Sequence, residues 1–214
     1  MCRGSSFPTS AGVFLTCLAC LGGWTRAGEP ISRPQMRQLP PSSVAATARP
    51  PSQRELVDAR EIVERRFRDP LSRADSAAGA NAATAALLDA AAGEEDRAVK
   101  WHLLAEARRL GAAAGNAAAV DRSIVLADAA FEFDAVVEEH RLLRGIPLQA
   151  LDPIRAAALA QVAEGLAQRA EADGRPEVAA DVWGLAIRSW QRAGDTAAAR
   201  RAASRAAAAS PAPR

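Results

Sequence analysis

The chain has 214 residues and a formal net charge of +2, with 49% hydrophobic and only 4% aromatic residues. That length supports one or two domains with a real core and excludes a large multidomain enzyme. With 54 alanines, no tyrosine, one lysine (Lys100) and two histidines (His102 and His140), the composition excludes an all-β protein and leaves few catalytic or metal-binding side chains.

Residues 1–6 are short and carry one positive charge, Arg3; residues 11–24 are almost wholly apolar, and Thr25-Arg26-Ala27 offers small residues at a cleavage site. This three-part pattern predicts a secretory signal peptide over 1–27 and an exported protein, periplasmic or secreted. The apolar run is about 14 residues, short of the roughly 20 needed to cross a bilayer. No later segment reaches that length without charges, so no transmembrane segment is expected in the mature chain. Cys2, Cys17 and Cys20 all lie in this segment. Acylation of Cys20 would want a branched aliphatic residue three places earlier, where Cys17 stands, so no lipid anchor is expected there. The mature chain then has no cysteine, needs no disulfide and has no thiolate metal site. Loss of Arg3 and Arg26 leaves 25 basic against 25 acidic residues, so the basic pI of the whole chain is no nucleic-acid signal.

Residues 28–52 hold six prolines among Ser, Gln and Arg without an apolar period, which predicts an extended, disordered spacer. Ser52 and Glu55 form a capping box that opens the first helix; Leu56, Ala59, Val63 and Phe67 make its stripe, and Pro70 is expected to end it. A weaker alanine-rich helix is predicted over 81–92. The next, over 94–114, carries Val99, Leu103, Ala107 and Leu110. Gly115-Asn116 turns the chain into a fourth helix with Val120, Ile124, Ala127 and Phe131. Asp134 caps a short fifth helix ending near Gly145. The loop 145–151 is expected to separate a first helical group, 53–145, from a second, 152–209, followed by a tail, 210–214. Asp152-Pro153 starts the second group as cap and first-turn proline. Leu159, Val162, Leu166 and Ala170 line that helix up to Asp173-Gly174. Pro176 opens the next, with Ala179, Trp183, Ala186 and Trp190 on one face, and Gly194-Asp195 turns into a last alanine-arginine helix. The class is all-α with short turns between antiparallel neighbours.

Ala167, Ala170, Gly174, Ala179, Trp183 and Ala186 fall where the tetratricopeptide pattern places its small, aromatic and glycine positions, with Ala170 in the usual tyrosine place. Small residues let two antiparallel helices approach to about 8 Å, and one large residue fills the remaining groove. The second group therefore resembles a tetratricopeptide hairpin. A partial second copy, Trp190, Gly194, Ala199, Ala203 and Ala206, starts too soon to give regular repeats of about 34 residues. The stretch 55–133 also resembles the helical region near the N-terminus of many exported planctomycete proteins. The matching positions are Trp101, Leu103, Leu104, Glu106, Ala107, Leu110, Ala114 and Gly115, with Asn116 in place of an aspartate. That resemblance implies a signal peptide, a spacer and helices, and brings no assigned activity with it.

His102 and Glu106 lie four apart, half of a metal-site geometry, without a His pair or Cys cluster to complete it. His140 ends a short helix, where a cation suits the dipole. Phosphate loops, nucleophile elbows and calcium loops are absent. Glu94-Glu95 and Glu138-Glu139 are adjacent in sequence, point to different helix faces and read as solvated. Arg200, Arg201 and Arg205 make a basic end without the aromatic interleaving of a nucleic-acid surface. No catalytic, cofactor or metal residue is expected. Trp183 and Trp190, seven apart, read as core plugs or, alternatively, as the lining of a peptide groove. The sequence therefore points to an exported, non-catalytic helical module that binds a protein or peptide and no nucleic acid. A structural spacer or assembly component of the cell envelope is the alternative, and a small periplasmic enzyme a third.

Overall fold

The computed structural model describes residues 47–209. The expected signal peptide with its three cysteines, most of the expected spacer and the tail 210–214 lie outside the described residues. Most of the described helices begin at a capping side chain or a first-turn proline. Helix α1 (Gln53–Arg66) opens on the Ser52–Glu55 capping box, with the Ser52 amide donating to Glu55 Oε2 at 2.7 Å. Those bonds from Ser52, aided by Arg97, hold the Glu55 carboxyl at about 2, well below the usual carboxylate range. Pro70 does not end this helix. Phe67 interrupts it, and Pro70 sits in the first turn of a short α2 (Arg68–Ser72), where its missing N–H costs nothing.

Ser76 caps α3 (Ala77–Gly93), which therefore starts four residues before the alanine run alone would suggest. Asp96 caps α4 (Arg97–Ala113), Asn116 caps α5 (Ala117–Asp128), Asp134 caps α6 (Ala135–Arg144), and Asp152 caps α7 (Pro153–Ala172). Helix α8 (Pro176–Ala193) starts on its proline, and Asp195 accepts from Ala198 N at the head of α9 (Thr196–Ala209). A single 3-10 turn, Leu148–Ala150, bridges α6 and α7. Gly115 (φ +69°) and Gly194 (φ +82°) take the left-handed conformation between α4 and α5 and between α8 and α9. At Gly115 a Cβ would also lie 2.5 Å from Leu151 Cδ2, so only glycine fits.

Consecutive helices pack against one another, and the described residues contain no strand. A lone parallel bridge joins Ala48 to Phe131: Ala48 N donates to Ala130 O, and Glu132 N donates to Ala48 O. The end of the expected spacer is thus held against the helices, because Ala130 O and Glu132 N, just beyond the end of α5, are available to pair with Ala48. No helix of the described residues is long and apolar enough to cross a membrane.

The buried side chains form two clusters. One gathers Ala59 and Val63 of α1, Leu87 and Leu88 of α3, Val99, Leu103, Leu104 and Ala107 of α4, and Phe131. The other gathers Val120 and Ile124 of α5, Leu143 of α6, and the facing sides of α7 and α8. Their meeting line runs along α5 rather than through the loop after α6: the stripe of α5 starts in one cluster and ends, at Ala127, in the other. Between α7 and α8 the contact surface is mostly alanine. Ala160, Ala163, Ala167, Ala170, Ala179 and Ala186 are all buried, and Trp183, 1% exposed, is the largest side chain among them. Its indole Nε1 donates to Glu171, so the ring is buried without stranding its polar atom.

One carboxylate also lies in the second cluster's neighbourhood. Glu139 of α6 is fully buried, with Oε2 accepting from Arg169 Nη2 at 2.6 Å, while Asp121 lies 3.4 Å from the same guanidinium. Burial is the main force raising the Glu139 carboxyl, to about 7, against the pull of Arg169.

Two expected outcomes follow from this packing. Trp183→Ala removes a fully buried ring from an alanine-lined interface that cannot collapse to fill it, and should cost about 3–5 kcal/mol in thermal or urea unfolding. A shift of only a degree or two would put the ring outside the core. Glu139 makes stability fall with rising pH, because the unfolded chain loses this proton near 4.5 and the folded chain holds it to about 7. Across that window wild type should lose up to about 3 kcal/mol relative to Glu139→Gln. The half-buried His102, lowered by burial, contributes with the opposite sign in both proteins, so the difference between them isolates Glu139. Parallel pH profiles for the two would show that Glu139 is ionised in the fold.

Candidate functional site

The two tryptophans singled out by the sequence do not share a groove. Trp183 is enclosed between α7 and α8, whereas Trp190 is half-buried and donates from Nε1 to Glu164 Oε1 at 2.7 Å. Trp190 lines a shallow depression with Pro153, Ile154, Ala157 and Ala158, in which Ile154 is 83% exposed. His102 and Glu106 share a hollow with Arg60, Glu64 and Arg109, and Arg109 takes the Glu106 carboxylate. His140 Nε2 lies 3.3 Å from Asp181 Oδ2, which Arg144 also approaches. Among the described residues no group of three or more His, Cys, Asp or Glu could hold a metal ion.

The most distinctive polar arrangement lies elsewhere, in a groove of about 680 Å³ between α4 and α6. Its floor is apolar, with Ala105 and Ala112 from α4, Leu142 from α6, and Pro147 beyond it. Arg108 and Arg109 enter from α4, and Glu138 and Arg141 from α6. Arg141 grips Glu138 through Nε and Nη2 at 2.9 and 2.8 Å, and this bond is the main cause of the lowered Glu138 carboxyl.

Arg108 is different. It is 6% exposed, and Glu138 Oε1 stands 3.8 Å from its Nε, beyond a hydrogen bond. Its Nη1 is buried without a hydrogen-bond partner among the described residues. The guanidinium Cζ lies 5.1 Å from the Trp101 ring and 5.9 Å from Phe133. Trp101 in turn packs edge-on against Phe131 and Phe133, at 5.0 and 5.6 Å between ring centres. The aromatic platform holds the cation in place but supplies no acceptor. Burial accordingly pushes the Arg108 guanidinium below its ordinary value.

Composition alone draws attention to neither Arg108 nor Glu139. The available signal is register. Arg108 follows Trp101 and Leu104 at helical spacing on a buried side of α4, and Glu139 stands between Val136 and Leu143 on the buried side of α6. Of the adjacent pair Glu138-Glu139, expected to be solvated on both sides, Glu139 is fully enclosed and Glu138 lines the groove.

Compared with protein-family models, with curated proteins and with solved structures, the chain matches none.

A buried cation with an unmet donor costs stability, which helps distinguish a binding residue from a structural one. Arg108→Met should keep the helical circular dichroism and stabilise the protein by about 1 kcal/mol, since the removed desolvation cost exceeds the lost contact with Trp101. A melting temperature lowered by several degrees would make Arg108 a structural residue.

Proposed function

We propose that this chain is a helical binding module that takes an acidic segment of a partner protein in the α4–α6 groove. The observation that carries the reading is Arg108: a guanidinium buried against Trp101, with a donor that no group among the described residues accepts. A carboxylate is the acceptor whose planar geometry fits a guanidinium in two-point fashion. Arg109, paired with Glu106, and Arg141, paired with Glu138, flank it, and the groove's alanine and leucine floor suits apolar residues beside the acidic one. Stacked helix pairs commonly present such surfaces. The tetratricopeptide-like series Ala167, Ala170, Gly174, Ala179, Trp183 and Ala186 supports a scaffold of helix pairs. The signal-peptide pattern of residues 1–27 supports action outside the cytoplasm, with the periplasm or the external medium as the setting.

The reading is tested by selecting a displayed random-peptide library on the full chain, then on Arg108→Gln and on Arg141→Glu. Peptides enriched on the wild type should carry Asp or Glu next to apolar residues, and fluorescence anisotropy should show at least tenfold weaker binding to either variant. Binding should also weaken as salt rises from 50 to 300 mM. Enriched peptides without acidic residues, equal affinity for the groove variants, or no enrichment at all would overturn the reading.

A further inference from the structure

A second cleft, of about 340 Å³, opens where α6 meets the end of α7, away from the arginine groove. Its charged lining is Asp128, Asp134, Glu139 and Asp173 against Arg169 and Arg175. Both arginines are engaged within the protein. Arg175 Nη1 reaches both oxygens of Asp134 at 2.7 Å, and Arg169 Nη2 holds Glu139 Oε2 at 2.6 Å. The excess charge of the lining is negative. Among these lining residues Glu139 is fully buried, and its second oxygen, Oε1, has no hydrogen-bond partner among the described residues. A buried polar oxygen left without a partner is costly, and once the carboxyl is ionised a bound donor at Oε1 would return that cost.

We infer that this cleft is a binding site for a primary alkylammonium group, which donates a hydrogen bond to Glu139 Oε1 while Asp128 and Asp173 add electrostatic attraction. The lining favours a cation over an anion because its carboxylates outnumber its arginines. It favours an organic cation over a metal ion because no group of three or more His, Cys, Asp or Glu suited to a metal occurs among the described residues. The apolar part of the lining, Phe133 with Val136 and Ala172, suits the carbon chain behind the ammonium. The cleft lies at the small end of the range for ligand sites, matching a small amine or one lysine side chain.

Binding carries a proton with it. The charged groups acting on Glu139 are Arg169 from α7 and Asp121 from α5, with Asp128, Asp134, Asp173 and Arg175 around the opening. In the empty cleft burial keeps the Glu139 proton on up to about pH 7. An ammonium placed at Oε1 favours the carboxylate, so the carboxylic acid gives its proton to solvent as the ammonium enters, and the ammonium keeps its own. Affinity therefore rises with pH through neutrality, as long as the amine itself stays protonated.

Calorimetric titration of the full chain tests this with three probes: butylammonium chloride, the blocked tripeptide acetyl-Gly-Lys-Gly-amide, and butanol as a neutral control. At least one ammonium probe should bind, about tenfold more tightly at pH 8 than at pH 6, with net proton release seen as heat that depends on the buffer. Tighter binding of butylammonium would identify a free amine as the ligand type, and tighter binding of the tripeptide a lysine side chain; both support the site. Glu139→Gln should weaken binding at least tenfold at pH 8 and remove its pH dependence. Should that variant not fold, the exposed pair Asp128→Asn with Asp173→Asn carries the same test, with an expected loss of at least threefold. No binding by either ammonium probe at pH 8 would overturn the inference. So would butanol binding as well as butylammonium, or undiminished affinity in the folded variants.

Discussion

Close approach of alanine-faced helices is the constraint on which the rest of this structure depends. Alanine lets α7 and α8 come together without side-chain entropy loss, but it brings little apolar area to bury. Packing at native density then requires a few large side chains in the gaps, each of them hard to replace. Trp183 has that place between α7 and α8, Phe131 and the α4 leucines between the early helices. Elsewhere the chain compensates locally. Capping side chains from Ser52, Ser76, Asp96, Asn116, Asp134, Asp152 and Asp195 start seven of the described helices. Each such bond contributes about 1 kcal/mol at a helix whose packing is thin.

The same core holds two ionisable side chains, Arg108 and Glu139. Each is buried, and Arg108 Nη1 and Glu139 Oε1 have no hydrogen-bond partner among the described residues. A group of this kind subtracts from a total stability that is ordinarily only about 5–15 kcal/mol. Their surroundings also differ from those of the ordinary surface pairs of this chain, such as Arg60 with Glu64, which are exposed and worth little.

How far the sequence reveals the structure depends on the range of the signal. Caps and turns are written within three or four residues, so Ser52, Asn116, Asp134 and Asp152 can be placed from the sequence alone, as can the turns at Gly115 and Gly194. Pro70 misleads because proline is tolerated in a first turn as well as after a last one, and only the break at Phe67 distinguishes the two. The pairing of Ala48 with Phe131 joins residues far apart in the chain, and neither carries a motif. Arg108 and Glu139 are similarly hidden, since a charge on an amphipathic helix is solvated by default. Its burial depends on which neighbour covers that side. Trp183 and Trp190 show the same limit from the other direction: their spacing puts both on one face of α8, yet α7 covers the first fully and the second in part.

Helix α6 gathers these points in ten residues. Successive residues of a helix point about 100° apart, so Glu138 and Glu139 cannot serve one surface. Glu138 turns toward α4, where Arg141 holds its carboxylate beside Arg108, and Glu139 turns toward Arg169 of α7. The flanking Val136 and Leu143 are buried, which fixes the helix in rotation and so fixes where both carboxylates point. A rotation that exposed Glu139 to water would withdraw Leu143 from the core as well. Apolar packing of one short helix thus sets the geometry of both polar surfaces, and the charges themselves need contribute nothing to holding it there.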